Sequence, residues 1–182
     1  MSFREEALRA VRHTLTEVLN DRPIPVIEFN DPRFAERCGI FVTLKKNDNL
    51  RGCIGFVRGV EPLRAAIQEM AIAAATRDPR FPAVTADELG EISIEISVLT
   101  PMTEVGTLDE IEIGKHGLML MLGRHSGLLL PQVPVEWGWD VEEFLTNLCH
   151  KAGLPPGSHL QPGARLLKFS ADIYSEDEVH ES

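Results

Sequence analysis

The run "EISIEISVLTP", from Glu91 to Pro101, constrains the fold more than any other stretch of the chain. Side chains alternate across a strand. Ile92, Ile94, Ile96 and Val98 therefore fall on one face, and Glu91, Ser93, Glu95 and Ser97 on the other. Strands of a parallel sheet are covered on both faces, so a strand with one apolar and one polar face belongs in an antiparallel sheet packed on one side. The remaining sequence must supply strands to pair with it and helices to cover its isoleucines.

Both are present. "GIFVTLKKNDNLRGCIGFV" reads as a hairpin, two β-rich runs joined by the polar turn "KKNDN". "SFREEALRAVRHTLTEVL" opens with Ser2 and Glu5 in capping-box spacing and carries Phe3, Ala7, Val11, Leu15 and Val18 at helical intervals. "IPVIEFNDPRFAERC" reads as an irregular connection with a short helical turn. Pro62 suits the first turn of a second helix, whose stripe of Leu63, Ile67, Met70 and Ala74 stops at "RDPRFP". "GLMLML" and "GLLLPQVPV" flank "GRHSG" as a second hairpin, apolar on both faces. Asp140 and Glu143 repeat the capping-box pattern before a stripe of Val141, Phe144, Leu145, Leu148 and Ala152. "RLLKFSADIYS" reads as one last alternating strand, and "EDEVHES" as a frayed acidic tail.

Hairpin-joined strands separated by a few helices make the fold α+β rather than a doubly wound parallel sheet. "TPMTEVGT" and "SHLQPGA" read as crossings. They delimit a smaller subdomain, 105–163, inserted into a larger one made of 1–104 and 164–182.

Composition narrows the function classes. Apolar residues are 43% and charged residues 25% of 182, the balance of a globular chain. No run approaches the roughly 20 apolar residues of a membrane span, and "MSFREEALRAVRHTL" mixes charges into its apolar residues unlike a secretory signal. Three dispersed cysteines form no disulfide framework and fit a reducing compartment, so the expected location is the cytoplasm. A net charge of −10 opposes the phosphate contacts that dominate nucleic-acid affinity. Locally the balance reverses, because residues 45–80 hold seven Lys/Arg against four Asp/Glu.

That basic segment contains "LRGCIGFVRG". Alternation places Leu50, Gly52, Ile54 and Phe56 on the core face and Arg51, Cys53, Gly55 and Val57 on the other. Cys53 then stands about 7 Å along the strand from Arg51, and an adjacent cation stabilises a thiolate. Glycine in a strand is tolerated where a backbone or ligand comes close, so Gly52 and Gly55 leave space around the thiol. Against this, free cysteines are more often inert and buried. Arg77 and Arg80 of "TRDPRFP" suit a helix C-terminus, or capture of one anion together with Arg51. Cys149 and His150 diverge around their helix, which leaves a packed thiol beside an exposed imidazole. His116 and His125 bracket a hairpin strand. There is no CxxC, HxH or HExxH spacing, no G-x-S-x-G elbow, no P-loop and no dinucleotide fingerprint, so neither metal nor cofactor is implied.

Three stretches in order, "GIFVTLKKNDNLRGCIGFVRGVEPL", "AIAAATRDPRFPAVTADELGEISIEISVLTP" and "GLLLPQVPVEWGWDVEEFLTNLCHKAGL", resemble the AMMECR family, whose hallmark is the hexapeptide "LRGCIG" at Leu50–Gly55. The resemblance spans roughly residues 3 to 175. It implies two unequal subdomains, an antiparallel sheet flanked by helices plus a smaller α/β lobe, with Leu50, Arg51, Gly52, Cys53, Ile54 and Gly55 directed at a cleft between them. It assigns no catalytic residue. It also implies partners, a Memo-like protein and a radical S-adenosylmethionine protein.

Two functions follow as expectations. In one the chain is an enzyme or enzyme component: Cys53 reacts, Arg51 with Arg77 and Arg80 holds an anionic substrate, and His150 serves as base. In the other the chain is a non-catalytic protein- or peptide-binding module that uses the cleft between the subdomains as its groove, with anchors from "LLLPQVPVEWGW".

Overall fold

A computed structural model describes residues Met1–Val179; the end of the expected acidic tail, 180–182, lies outside the described residues. The fold is α+β with two four-stranded antiparallel sheets. The chain divides into two compact units, one formed by Met1–Leu99 with the chain from Asp172, the other by Thr100–Ala171.

The first unit is built around the hairpin β1 (Ile40–Lys46) and β2 (Asn49–Phe56). Lys46 pairs with Asn49, so the turn is the two residues Asn47 and Asp48, with φ of 50° and 61°. Positive φ at both central positions matches the right-handed strand twist, and Asn and Asp tolerate it better than most residues. β3 (Ile92–Leu99) pairs antiparallel with β1, and the sheet order is β2-β1-β3-β8, with β8 at Ala171–Ser175. Helices α1 (Phe3–Leu19) and α2 (Leu63–Thr76) pack against each other and against this sheet. Their stripes meet Ile40, Val42, Leu44, Ile92, Ile94 and Ile96 in one core, so the isoleucine face of "EISIEISVL" is the covered one. The Ser2–Glu5 capping box starts α1 as expected.

The second unit pairs β5 (Gly117–Leu122) with β6 (His125–Leu129) across a Gly123–Arg124 turn, and its sheet order is β4-β7-β5-β6, with β4 at Thr103–Glu104 and β7 at Arg165–Phe169. After β6 the chain turns helical: α3 (Gln132–Trp137) precedes α4 (Val141–Lys151), which Asp140 and Glu143 cap reciprocally. Phe144, Leu145, Leu148 and Cys149 of α4 pack on Leu118 and Leu120.

Two expectations change here. "RLLKFSADIYS" is two strands rather than one: β7 belongs to the second sheet and β8 to the first. The switch falls at Ser170, whose N–H donates to Thr100 Oγ1 at 2.8 Å while the Thr100 N–H donates to its carbonyl at 2.8 Å. The tail is also not frayed at Glu176, whose carboxylate accepts from Arg12 and from the Ile94 N–H. The sequence junctions stood at 104/105 and 163/164; the second sheet takes in β4 and β7, which flank them. Among the described residues no helix is long and apolar enough to cross a membrane.

Candidate functional site

Among the described residues β2 is an edge strand, so one side of its backbone has no strand partner there. At Cys53 that side is occupied by side chains. The Cys53 N–H donates to Asp78 Oδ2 at 2.9 Å, and Arg80 Nη2 lies 3.5 Å from the Cys53 carbonyl oxygen. Arg80 in turn grips the same carboxylate through Nε at 3.0 Å and Nη2 at 2.8 Å, and its own N–H donates to Asp78 Oδ1 at 3.0 Å. Asp78 and Arg80 thus stand in for a neighbouring strand at one residue. Asp78 is only 5% exposed, and the Arg80 guanidinium, with the Cys53 and Arg80 amides, holds its carboxyl well below the usual carboxylate range.

The thiol points to the sheet face opposite α2. Cys53 pairs with Thr43, and Sγ lies 3.2 Å from Thr43 Oγ1. Thr43 pairs on its other side with Glu95, whose carboxylate accepts from Lys45 Nζ at 2.8 Å. The row from Cys53 through Thr43 to Glu95 is half-buried and polar.

The other hexapeptide residues serve different ends. Leu44 pairs with Gly52 but Lys45 pairs with Leu50, so a bulge at Arg51 interrupts the alternation. Leu50 thereby joins the Lys45 and Thr43 face and is 41% exposed, not in the core as alternation alone predicts. Arg51 leaves the Cys53 face for the same reason. Its Nε and Nη2 donate to the two Glu88 oxygens, each at 3.1 Å, and Nη1 and Nη2 donate to the Pro82 and Ala83 carbonyls. Lys46, on the Leu44 side, meets the same carboxylate. Arg51 foremost, then the Thr85 amide, depresses the Glu88 carboxyl to about 2. The cation near Cys53 is Arg80, and it is paired there with the Asp78 carboxylate.

Nor do the glycines clear space for a ligand. A Cβ on Gly52 would come 2.1 Å from the Ala74 carbonyl oxygen of α2, and one on Gly55 would meet the Ile40 carbonyl at 2.3 Å and the Phe41 ring at 2.5 Å. Both are there because backbone comes close. Ile54 packs against the first core. Arg77 follows α2 as its exposed C-cap residue, so of the three arginines Arg51 and Arg80 are tied to separate carboxylates and Arg77 ends a helix. His150 sits exposed in the last turn of α4, in the other unit.

Asp78 and Thr43 went unnoticed in the sequence. The Asp-Pro-Arg order inside "RDPR" carried the signal for Asp78, since an Arg two residues on can chelate the carboxylate; nothing local announced its reach to Cys53. Also missed was the partner of Cys149, whose Sγ lies 3.9 Å from His159 Nδ1. A groove of about 720 Å³ in the first unit, lined by Glu5, Arg9, Arg12, Glu91, Glu176 and others, involves none of the candidate residues. Among the described residues no group of three or more His, Cys, Asp or Glu could hold a metal.

The AMMECR1 family matches residues 8–174. A Methanothermobacter thermautotrophicus protein is 52% identical over 150 residues, covering 79% of this chain and 78% of its own. Protein MJ0810 of Methanocaldococcus jannaschii is 46% identical over 180 residues, 94% of this chain and 89% of its own. A crystal structure of protein PH0010 from Pyrococcus horikoshii matches with a TM-score of 0.80 at 41% identity, covering 94% of this chain and 90% of that one.

Proposed function

The chain belongs to the AMMECR1 family, and on that premise we propose that it is an enzyme or enzyme component that uses the Cys53 thiol on a small substrate bearing an anionic group. The observation that carries this reading is the double grip on the Cys53 backbone by Asp78 and Arg80, which fixes the thiol on a half-buried polar face beside Thr43. A thiol used only as core filler needs neither. Arg80 commits Nε and Nη2 to Asp78, and its side chain is 56% exposed, so Nη1 is left to hold an anion next to the sulfur. Asp78 foremost, with Cys53 a smaller contributor, raises the Arg80 ionisation, so the guanidinium stays charged beside the thiol. Arg51 takes a supporting role, fastening the bulged strand to Glu88. The family resemblance adds a Memo-like protein and a radical S-adenosylmethionine protein as partners, which co-purification from a native host would test.

The test of the site compares a neutral and an anionic alkylating reagent on the folded protein, read cysteine by cysteine by peptide mass. Iodoacetamide should label Cys53 ahead of Cys38, whose thiol burial pushes up, and of fully buried Cys149. Cys53→Ser should remove the fast label and leave the fold intact. Anion capture should show as a preference for iodoacetate over iodoacetamide at Cys53 that drops about threefold or more in Arg80→Gln. Labelling of Cys53 only on unfolding would end the reading, and an unchanged reagent preference would remove Arg80 from it.

A further inference from the structure

We propose that Trp137 and Trp139 form a docking surface for an extended, positively charged segment of a partner protein, a site separate from Cys53 and carried by the second unit alone. Trp137 is 69% exposed and Val135 58%. The two indoles lie nearly parallel, 14° between planes and 6.2 Å between centroids. Their placement is fixed by main-chain geometry. Gly138 ends α3 at φ 67°, its N–H donating to the Val135 carbonyl at 3.3 Å while the Trp139 N–H reaches back to Pro134 at 2.9 Å. One residue later Asp140 caps α4, so the Trp-Gly-Trp run is clamped between two helices. A surface that is ordered before it binds loses less freedom on binding.

Charge chooses the occupant. From His125 to His150 the chain carries Glu136, Asp140, Glu142 and Glu143 and no lysine or arginine, and all four carboxylates are exposed. A Cβ built on Gly114 would come 3.4 Å from the Val135 side chain, and the next residue, Lys115, is ion-paired to Glu112 at 3.8 Å. The exposed Trp137 indole, backed by the half-buried Trp139 and flanked in sequence by Glu136 and Glu142, with Asp140 and Glu143 held in the α4 cap, suits lysine or arginine, which gain from the ring quadrupole and from the opposite charge together. The same carboxylates repel a phosphate backbone or an anionic lipid surface, and a chain of net charge −10 resists a second copy of itself.

These are the only two tryptophans in the chain, so intrinsic emission reports this surface directly. A short synthetic peptide alternating arginine or lysine with glycine should change that emission saturably. Its affinity should fall about tenfold or more between low salt and about 0.5 M. Trp137→Ala should abolish the response while Trp139 still reports. Glu136→Lys with Glu142→Lys, which keeps both indoles, should weaken binding about tenfold or more, whereas Cys53→Ser should leave it unchanged, which separates this surface from the thiol. The proposal is overturned by no saturable response, by equal binding of a glutamate–glycine peptide, by binding that survives either tryptophan or charge variants, or by an oligonucleotide, anionic vesicle or second copy occupying the surface where the basic peptide does not.

Discussion

Asp78 is a nearly buried carboxylate whose acceptors are all used: Cys53 N–H, Arg80 N–H and the Arg80 guanidinium. Removing it strips four N–H donors of their partner at once, two from backbone and two from the Arg80 guanidinium. Hydrogen bonds to charged groups contribute about 1.5–3 kcal/mol each and are not additive. We expect Asp78→Ala to cost about 2–3 kcal/mol in urea unfolding. Asp78→Asn keeps one acceptor for Cys53 and should cost about half that. Because the folded-state carboxyl lies below its ordinary 3.8, its contribution is complete above that value and fades as pH falls beneath it; the alanine variant should lack this acid-dependent component. A cost below about 0.5 kcal/mol for the alanine change would show that the edge of β2 does not depend on this carboxylate.

At the scale of elements, the close approach of α2 to β2 rests on Gly52 facing Ala74. A methyl at 52 would have to displace helix backbone, not a pliable side chain, so Gly52→Ala should cost about 3 kcal/mol, the upper end of overpacking. Gly90→Ala, where a Cβ meets nothing within 4 Å, is the control and should leave the unfolding midpoint nearly unchanged. Equal stability of the two variants would mean that the helix can shift without penalty. The same elements show what a sequence can and cannot convey. The Ser2–Glu5 and Asp140–Glu143 caps, the Asn47–Asp48 turn and the isoleucine face of β3 were legible because each is written in residues within a few positions of one another. The bulge at Arg51 was not, since it depends on Glu88, Pro82 and Ala83 some 30 residues away drawing the guanidinium across the strand. The division of 165–175 between two sheets likewise depends on Thr100 meeting Ser170. Alternation continues smoothly through both places, which is why Leu50 was assigned to the wrong face and one strand was expected where there are two. Cys53 itself was assigned to the correct face, because the bulge lies before it and pairing with Thr43 restores the alternation.

Across the whole molecule, the two units carry titrating groups that respond in different pH windows. In the second unit desolvation lowers His159, and desolvation foremost, then Lys168 and Lys115, lowers His116. A histidine depressed in the folded state gives stability that is complete above its unfolded value of 6.5 and is lost as pH falls through the folded value. His116 Nδ1 also accepts the Glu112 N–H at 3.0 Å, a bond that protonation removes. In the first unit the depressed groups are carboxyls, Asp78 and Glu88 with Asp31, Glu5 and Glu17, so the corresponding loss begins only below about 4.5 and continues toward about 2. Glu61 runs the other way. Sharing a hydrogen bond with Glu69, and burial, raise it above 4.5, so its stabilisation is full below that value and disappears as pH rises through the folded value. The chain supplies separate reporters, since both tryptophans lie in the second unit and the one tyrosine, Tyr174, packs on Phe3 in the first. Between pH about 7 and about 5 the tryptophan-detected melting midpoint should therefore fall while the tyrosine-detected midpoint holds, with the tyrosine transition following only in stronger acid. His159→Gln and His116→Gln together should flatten the tryptophan curve over that range. Coincident midpoints at every pH would mean that the units unfold as one and that these histidines do not set the acid response of the second.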